Sequence, residues 1–284
     1  MEYTQRNPLP LPASGPLGAV SATIDTVFDW EYALRRQNLL ALYAKGKALA
    51  WNASDLDWSV DVDVERMMAE RAAAGAGSIV NSVMAPPKPL PDAELMQMQL
   101  NMNAFMLSQF LHGEQGALVA TAKIVQTAPW EEAKFYAANQ VSDEARHVEV
   151  YHRYLTEKLG LSYEVHPSLQ RLLDDIIEDS RWDVTYLGMQ IMVEGLALAA
   201  FGMMKLMMAG EPLIQDITSR IMQDEARHVG FGVLSLQNVY TQEMSSTELR
   251  EREDFVIEAT HLLRERLLMT PVFERLGWDV DLWV

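Results

Sequence analysis

The 284-residue chain contains no cysteine, and this absence excludes several kinds of site at once. Without thiols the chain forms no disulfide, no thiolate zinc site, no iron–sulfur cluster and no cysteine-ligated mononuclear iron. Any electrons used in a redox reaction must therefore come from another molecule. The absence also agrees with a cytoplasmic location, which we expect for this chain.

Basic residues are scarce beside acidic ones. The chain has 23 Lys and Arg against 40 Asp and Glu, a formal net charge of −17 and a pI of about 4.7. Binding to nucleic acid needs a basic surface that neutralises phosphates, so we expect no nucleic-acid partner. The acidity indicates a soluble surface, or a surface that attracts a basic partner such as an electron donor.

Long uncharged apolar runs are also missing. The N-terminus, MEYTQRNPLPLPASGPLG, has no apolar core of a signal peptide, so we expect none. Residues 191–208 come nearest to a membrane span, but they contain Glu194 and Lys205. The sequence therefore predicts no membrane span, and it predicts a buried core helix over these residues.

What the chain does contain is helix-forming sequence between clusters of Pro and Gly. We predict helices over about 25–50, 92–127, 130–159, 168–209, 213–242 and 247–268, with one short helix in the acidic stretch before residue 85. Gly188 and Gly195 predict a kink, and Ser245 with Glu248 predicts a capping box. Four long helices joined by short loops indicate an all-α four-helix bundle with additional N- and C-terminal helices. We expect one domain over 1–284, with 1–20 as an extended arm and 92–242 as the bundle core.

The six-residue word DEARHV occurs twice, at 143–148 and again 81 positions later at 224–229. On a helix, Glu144 and His147 lie one turn apart on one face, as do Glu225 and His228. A carboxylate beside an imidazole suits Fe(II), Mn(II) or a similar ion. A single Glu-x-x-His is common on solvated helix faces, so the repetition carries the argument.

A repeated helix pair predicts one further acid on each preceding helix. Glu114 lies 30 residues before Glu144, and Glu194 lies 31 residues before Glu225. Glu194 stands in a strongly apolar stretch, where a carboxylate without a partner is costly to bury. One Glu from each of two helices and Glu-x-x-His from each of two others form the ligand set of dinuclear carboxylate bundles. The predicted metal ligands are Glu114, Glu144, His147, Glu194, Glu225 and His228.

The Asp and Arg residues of the repeated DEARHV motif are predicted to hold the ligand histidines in place. Asp143 can reach across the two-fold arrangement to His228, and Asp224 can reach His147 in the same way. Arg146 and Arg227 can pair with these aspartates, or can lie on solvated faces. We expect His112, His152, His166 and His261 to be surface or packing residues.

On these residues the chain resembles the ferritin-like di-iron oxidase and oxygenase superfamily, over about 100–235. Relatives include multicomponent monooxygenase hydroxylases, acyl-carrier-protein desaturases, arylamine N-oxygenases and small subunits of ribonucleotide reductase. The segment LYAKGKALAWNASDLDW at 42–58 looks similar to an N-terminal feature of such oxygenases.

The chain departs from several of these relatives. The additional histidine ligand of the N-oxygenases is replaced by Ile221, and the cysteine-ligated iron of rubrerythrins is excluded. Ligand-binding oxidases related to ribonucleotide reductase cross-link a valine to a tyrosine, and those positions are Ala117 and Met189 here, so we expect no cross-link. Tyr151 stands where the reductase has its radical tyrosine, and it is either redox-active or a packing residue.

The resemblance implies an O₂-activating oxidoreductase with two iron ions, Fe/Fe or Mn/Fe, and with bridging by Glu144 and Glu225. It implies a monooxygenase, N-oxygenase or desaturase that acts on a small hydrophobic or amphiphilic substrate, which a carrier can hold. The alternative is a metal protein that generates a stable radical for a partner, or that handles iron. An external reductase or ferredoxin and homodimerisation are expected. The predicted substrate pocket comprises Phe110, Ala117, Leu118, Thr121, Gln190, Ala197, Leu198 and Phe201.

Overall fold

The computed structural model describes residues 20–28, 30, 32–63, 66 and 89–283, and most of these residues form helices. Residues 20–28, 30 and 32–36 have no regular secondary structure and precede the first helix, and no strand occurs in the described part of the chain. The predicted arm over 1–19 and most of the acidic stretch before residue 85 lie outside these residues. The helices are α1 Gln37–Ala48, α2 Asp92–Thr127, α3 Glu131–Tyr154, α4 Pro167–Glu178, α5 Trp182–Tyr186, α6 Glu194–Met207, α7 Pro212–Asn238, α8 Ser246–Leu267, α9 Thr270–Leu276 and α10 Val280–Trp283.

Local chemistry fixes where the long helices begin and end. The carboxylate of Glu211 accepts hydrogen bonds from the backbone N–H groups of Leu213 (2.9 Å) and Ile214 (2.6 Å), which caps α7 just before Pro212. Ser245 and Glu248 form the predicted capping box at the start of α8. Gly160, at φ 63°, ends the helical path of α3 in a left-handed conformation that glycine adopts without a steric penalty.

Four helices form the bundle. α2 packs along α3, α6 packs along α7, and contacts of α3 with α7 and of α2 with α6 close the arrangement. α2 and α6 run in opposite directions, because Phe110 contacts Phe201 whereas Ala117 packs in one cluster with Val193. α1 lies against α3 and α7, and α8 covers α4. The predicted all-α bundle with additional N- and C-terminal helices is confirmed.

Two predicted helix boundaries are wrong. The helix expected over 25–50 begins only at Gln37, because backbone groups before it are used by other elements. The N–H of Val27 donates to the carbonyl of Gln126 (2.9 Å), and the N–H groups of Arg35 and Arg36 donate to buried Glu132. These long-range bonds hold the backbone of Val27, Arg35 and Arg36 outside a helix, and sequence periodicity does not report them.

The helix expected over 168–209 is interrupted between α4 and α5. Asp179 accepts hydrogen bonds from the N–H and the guanidinium of Arg181, and this local pairing competes with helix continuation. The predicted kink at Gly188 takes the form of a π-helical segment, Leu187–Val193, between α5 and α6. A Cβ at Gly188 would lie 2.5 Å from Cγ1 of Ile176, so the glycine permits close packing of this segment on α4.

Residues Trp182–Met207 run as one helical path that is long and apolar enough to cross a membrane, by length and composition alone. Its inner side is part of the bundle, and 44% of its most apolar window is buried. The same path carries Glu194, which is 3% exposed and faces other acids. These properties fit the core helix of a bundle, as the sequence predicts.

Candidate metal centre

Each of the four bundle helices brings carboxylate or imidazole groups to one buried cluster at mid-bundle. α2 contributes Glu114, α6 contributes Glu194, and the two copies of DEARHV on α3 and α7 contribute the rest. Two groups have ligand atoms within 4.8 Å of one another. The first comprises Glu114, Glu144, His147 and Glu225, and the second comprises Glu144, Glu194 and His228.

Two carboxylates of the cluster lie between the two histidines. The carboxylate of Glu144 is 3.4 Å from Nδ1 of His147 and 3.1 Å from Nδ1 of His228. The carboxylate of Glu225 is 3.2 Å from Nδ1 of His147 and 3.4 Å from Nδ1 of His228. Both Nδ1 atoms therefore face the shared carboxylates. Glu114 and Glu194 each belong to only one of the two groups, and the carboxylate of Glu114 lies 3.1 Å from Nδ1 of His147.

The donor atoms of the cluster fit two metal ions. Among the described residues, several buried donor atoms have no hydrogen-bond partner: Oε2 of Glu144, Oε2 of Glu194, both Oε atoms of Glu225 and Nδ1 of His228. Unpartnered buried polar atoms are rare in proteins and require a reason. Four carboxylates beside neutral imidazoles carry four negative charges, which two divalent cations neutralise.

The pKa values of the cluster in the metal-free protein also indicate an excess of buried negative charge. Burial raises the pKa of Glu114 well above its ordinary value against the attraction of His147, and repulsion from Glu225 and Glu144 adds to the rise. Burial, Glu225 and Glu144 raise the pKa of Glu194 in the same way. Burial alone would lower the pKa of His147 and of His228. The neighbouring carboxylates outweigh burial, so the pKa of each imidazole is raised. Protons thus occupy positions where cations would bind.

The aspartates of DEARHV hold the histidines across the bundle. Nε2 of His147 lies 3.1 Å from Oδ2 of Asp224, and Nε2 of His228 lies 3.3 Å from Oδ2 of Asp143. With Nε2–H bound to a carboxylate, the Nδ1 lone pair of each ring is directed at the cluster. Arg227 pairs with Asp224 and Arg146 pairs with Asp143, so the aspartate charges are compensated inside the protein.

Two residues of the centre are not among those singled out from the sequence. The amide of Gln140 donates to Glu144 (2.8 Å) and to Glu194 (3.0 Å), and it lies one turn before Glu144 on the same helix face. Nε1 of Trp51 donates to Asp224 (2.7 Å), and its ring stacks on His147 with centroids 6.4 Å apart. The sequence signal for Gln140 is the i−4 position, and the signal for Trp51 is the segment 42–58.

A narrow cavity lies beside the cluster, between α2, α6 and α8. The cavity volume is about 20 Å³, within about 310 Å³ of space free of protein atoms that includes open solvent. Four residues of the predicted pocket line it, namely Phe110, Ala117, Ala197 and Phe201. The structure places the other four away from the lining: Thr121 and Gln190 are buried in the bundle, and Leu118 and Leu198 are half-buried. Their part in a substrate site stays a prediction, because residues a turn or two from a ligand can also point into neighbouring helices.

Tyr151 lies behind the aromatic wall of the cavity. Its ring is fully buried, 5.8 Å from the ring of Phe110 and 6.3 Å from that of Phe201. Burial raises the pKa of its hydroxyl, and the carboxylates of Glu114 and Glu225 raise it further. Among the described residues its hydroxyl has no hydrogen-bond partner. The tyrosine is therefore close to the centre and remains a phenol.

The four other histidines lie outside the cluster. Nε2 of His112 is 3.0 Å from the carbonyl of Tyr163, and Nδ1 of His166 accepts the N–H of Ser168 at the start of α4. His152 is half-buried and His261 is exposed.

Comparison with solved structures identifies the fold. No protein-family model matches the sequence, and no curated protein matches it. An R2-like ligand-binding oxidase from Sulfolobus acidocaldarius is similar in structure, with 19% identity, 87% of this chain and 92% of that chain covered, and a TM-score of 0.54. A variant R2-like ligand-binding oxidase with an anaerobically reconstituted Mn/Fe cofactor has 18% identity and a TM-score of 0.58, over 90% and 89% of the two chains.

These oxidases are ferritin-like di-metal proteins. The chain has the ferritin-like fold. Its buried carboxylate and histidine cluster lies on the four helices of that fold, so the fold expected from the repeated motif is confirmed.

Proposed function

We propose that this ferritin-like protein is an O₂-activating, dinuclear metal oxidoreductase. The observation that carries the proposal is the buried set of four carboxylates and two histidines, with unpartnered donor atoms directed inward. The R2-like ligand-binding oxidases with an Mn/Fe cofactor support a dinuclear centre. We propose Fe/Fe as the native pair, with Mn/Fe as the second choice.

The proposed ligands divide between two positions. Glu114 and His147 would hold one ion, and Glu194 and His228 would hold the other. Glu144 and Glu225 would bridge, because each contacts both imidazoles within 3.4 Å. When bound, the two metals would supply the electrons and the open coordination positions that O₂ reduction requires.

The remaining side chains would orient and shield this centre. Asp143 and Asp224 keep the proton on Nε2 of each ligand histidine, so that Nδ1 stays available. Phe110, Phe201 and buried Tyr151 form an apolar wall that excludes bulk water from the side of Glu114 and Glu194.

The cavity beside Glu114 and Glu194 is the proposed substrate site. Its lining is mainly apolar, which favours a small hydrophobic or amphiphilic molecule over a sugar or nucleotide. We further propose a cytoplasmic homodimer that receives electrons from an external reductase or ferredoxin. The absence of cysteine and the net charge of −17 support the need for a separate, basic donor.

Metal analysis and O₂ uptake test the proposal together. The wild-type chain should bind two Fe(II) ions, and O₂ uptake by the reduced protein should increase when a turnover substrate is added. Glu194→Ala should lose one or both metals, whereas Glu149→Ala, an exposed acid on α3, should keep two. Two metals retained by Glu194→Ala would refute the ligand set. A mineral core or a stable tyrosyl radical would favour iron handling or radical generation instead.

A further inference from the structure

One buried cation lines the cavity beside the cluster. Arg266, near the end of α8, is 7% exposed and shares the cavity wall with Gln109, Glu114 and Phe201. Burial lowers the pKa of its guanidinium to about 10, with no charged group acting against this shift. Among the described residues, no carboxylate or carbonyl accepts a hydrogen bond from Arg266, so a buried charge faces the cavity without a partner.

Two other buried cations, Lys123 and Arg252, have hydrogen-bond partners within the protein. The ammonium of Lys123 donates to the carbonyls of Ile176, Ile177 and Asp179. Arg252 forms two hydrogen bonds of 2.9 Å with Asp183. A buried charge without such partners is costly, so proteins keep one mainly where a ligand supplies the missing anion.

We propose that Arg266 binds a carboxylate group of the substrate, while the apolar body of the substrate lies between Phe110, Ala197 and Phe201. This inference rests on the proposed function and deepens it, because it names the substrate class as a small apolar monocarboxylate. The planar guanidinium matches a carboxylate with two parallel hydrogen bonds. The narrow cavity favours the flat carboxylate over the larger phosphate group.

The polar residues near Arg266 already have other partners, so Arg266 is the group that we expect to bind the substrate carboxylate. The side chain of Gln109 is fully used, since its amide N–H donates to the carbonyl of Glu164 (2.9 Å) and its oxygen accepts the N–H of His166 (2.8 Å). Burial lowers the pKa of the His166 imidazole, and the positive charge of Arg266 lowers it further. Glu114, on the same cavity wall, belongs to the metal cluster.

Binding of hexanoate, 1-hexanol and hexyl phosphate tests the proposal by calorimetry. The full chain is loaded with Mn(II), kept anaerobic so that no turnover occurs, and measured again after removal of the metal by a chelator. We expect wild type to prefer hexanoate over hexanol by about tenfold to a hundredfold, the range of a charge-assisted pair. Arg266→Met should abolish this preference, and Arg266→Lys should keep part of it. The matched control is Arg264→Met, because Arg264 is exposed and its ion pair within the described residues is with Glu265, its neighbour in the chain.

The outcomes separate this inference from the proposed function. A hexanoate preference that survives Arg266→Met, or that disappears with the metal, would place the carboxylate elsewhere and overturn the inference. Tighter binding of hexyl phosphate would also overturn it. Arg266→Met should unfold at the same or a higher temperature than wild type, and a much lower value would show a structural arginine. Hexanoate binding through Arg266 without any O₂ uptake would refute only the proposed function.

Discussion

Replacement of Asp224 by Asn is the most informative test of how the centre is held. Oδ2 of Asp224 accepts hydrogen bonds from Nε2 of His147 (3.1 Å) and Nε1 of Trp51 (2.7 Å), and Oδ1 pairs with Arg227. Asparagine keeps the shape but removes the negative charge that orients His147. Loss of such a supporting carboxylate typically weakens metal binding by about tenfold to a hundredfold, or about 1.4 to 2.8 kcal/mol.

The expected loss is confined to one of the two metal positions. Competition titration of Mn(II) against a chelator should show weaker binding at the His147 position and unchanged binding at the His228 position, because His228 is held by Asp143. Asp216→Asn is the matched control, on the same helix but in an exposed pair with Arg220. That change should alter metal affinity by less than about twofold, since exposed pairs contribute about 1 kcal/mol or less to stability. Equal affinity of Asp224→Asn and wild type at both positions would refute this account of the centre.

Three other predictions address charge, packing and the buried tyrosine. The raised pKa values of Glu114 and Glu194 mean that the folded metal-free protein holds protons that the unfolded chain releases above pH 4.5, so its stability should fall as the pH rises from there. Urea denaturation from pH 5 to 8 checks this, and two bound metals should remove most of the slope. Gly188→Ala should destabilise the protein by about 1–3 kcal/mol through overpacking, whereas Gly202→Ala, with open space at its Cβ, should be neutral or stabilising in thermal unfolding. Tyr151→Phe should change stability by less than about 0.5 kcal/mol, since its buried hydroxyl has no partner among the described residues, and a loss above about 2 kcal/mol would reveal a hidden bond.

The core of the fold was predictable because its signals are local and repeated. The span of α2, the capping box of α8 and the four ligand-bearing helices follow from helix-forming composition and the two copies of DEARHV. The prediction failed where long-range contacts decide the backbone. The non-helical backbone of Arg35 and Arg36 before α1 depends on Glu132, about a hundred residues away, and no periodicity in residues 25–36 reports that carboxylate.

The sequence predicts the six Glu and His side chains of the centre, but it does not predict the residues that line the cavity beside them. Spacing brings the four Glu and two His together, because i and i+3 fix one helix face. Spacing does not say which way the remaining neighbours turn, and Gln190 and Leu118 are not in the lining of the cavity beside the cluster. The burial of Arg266 could not be predicted from its neighbours, because the segment RERLL at 264–268 resembles a solvent-exposed helix end. Its signal is the stripe that it shares with Arg252, Ala259 and Leu263, the four buried positions of α8.

The two copies of DEARHV are identical, but the protein gives them different surroundings. Gln140 donates to both Glu144 and Glu194, and the position 81 residues later is Ile221, which offers no hydrogen bond. Trp51 binds Asp224, whereas Asp143 receives Asn139 at 3.2 Å instead. One group gathers Glu114, Glu144, His147 and Glu225, and the other gathers Glu144, Glu194 and His228, whose two carboxylates both accept from Gln140. A sequence repeat therefore produces two unequal sites, and inequality of this kind is what allows two metals in one bundle to differ in affinity or identity.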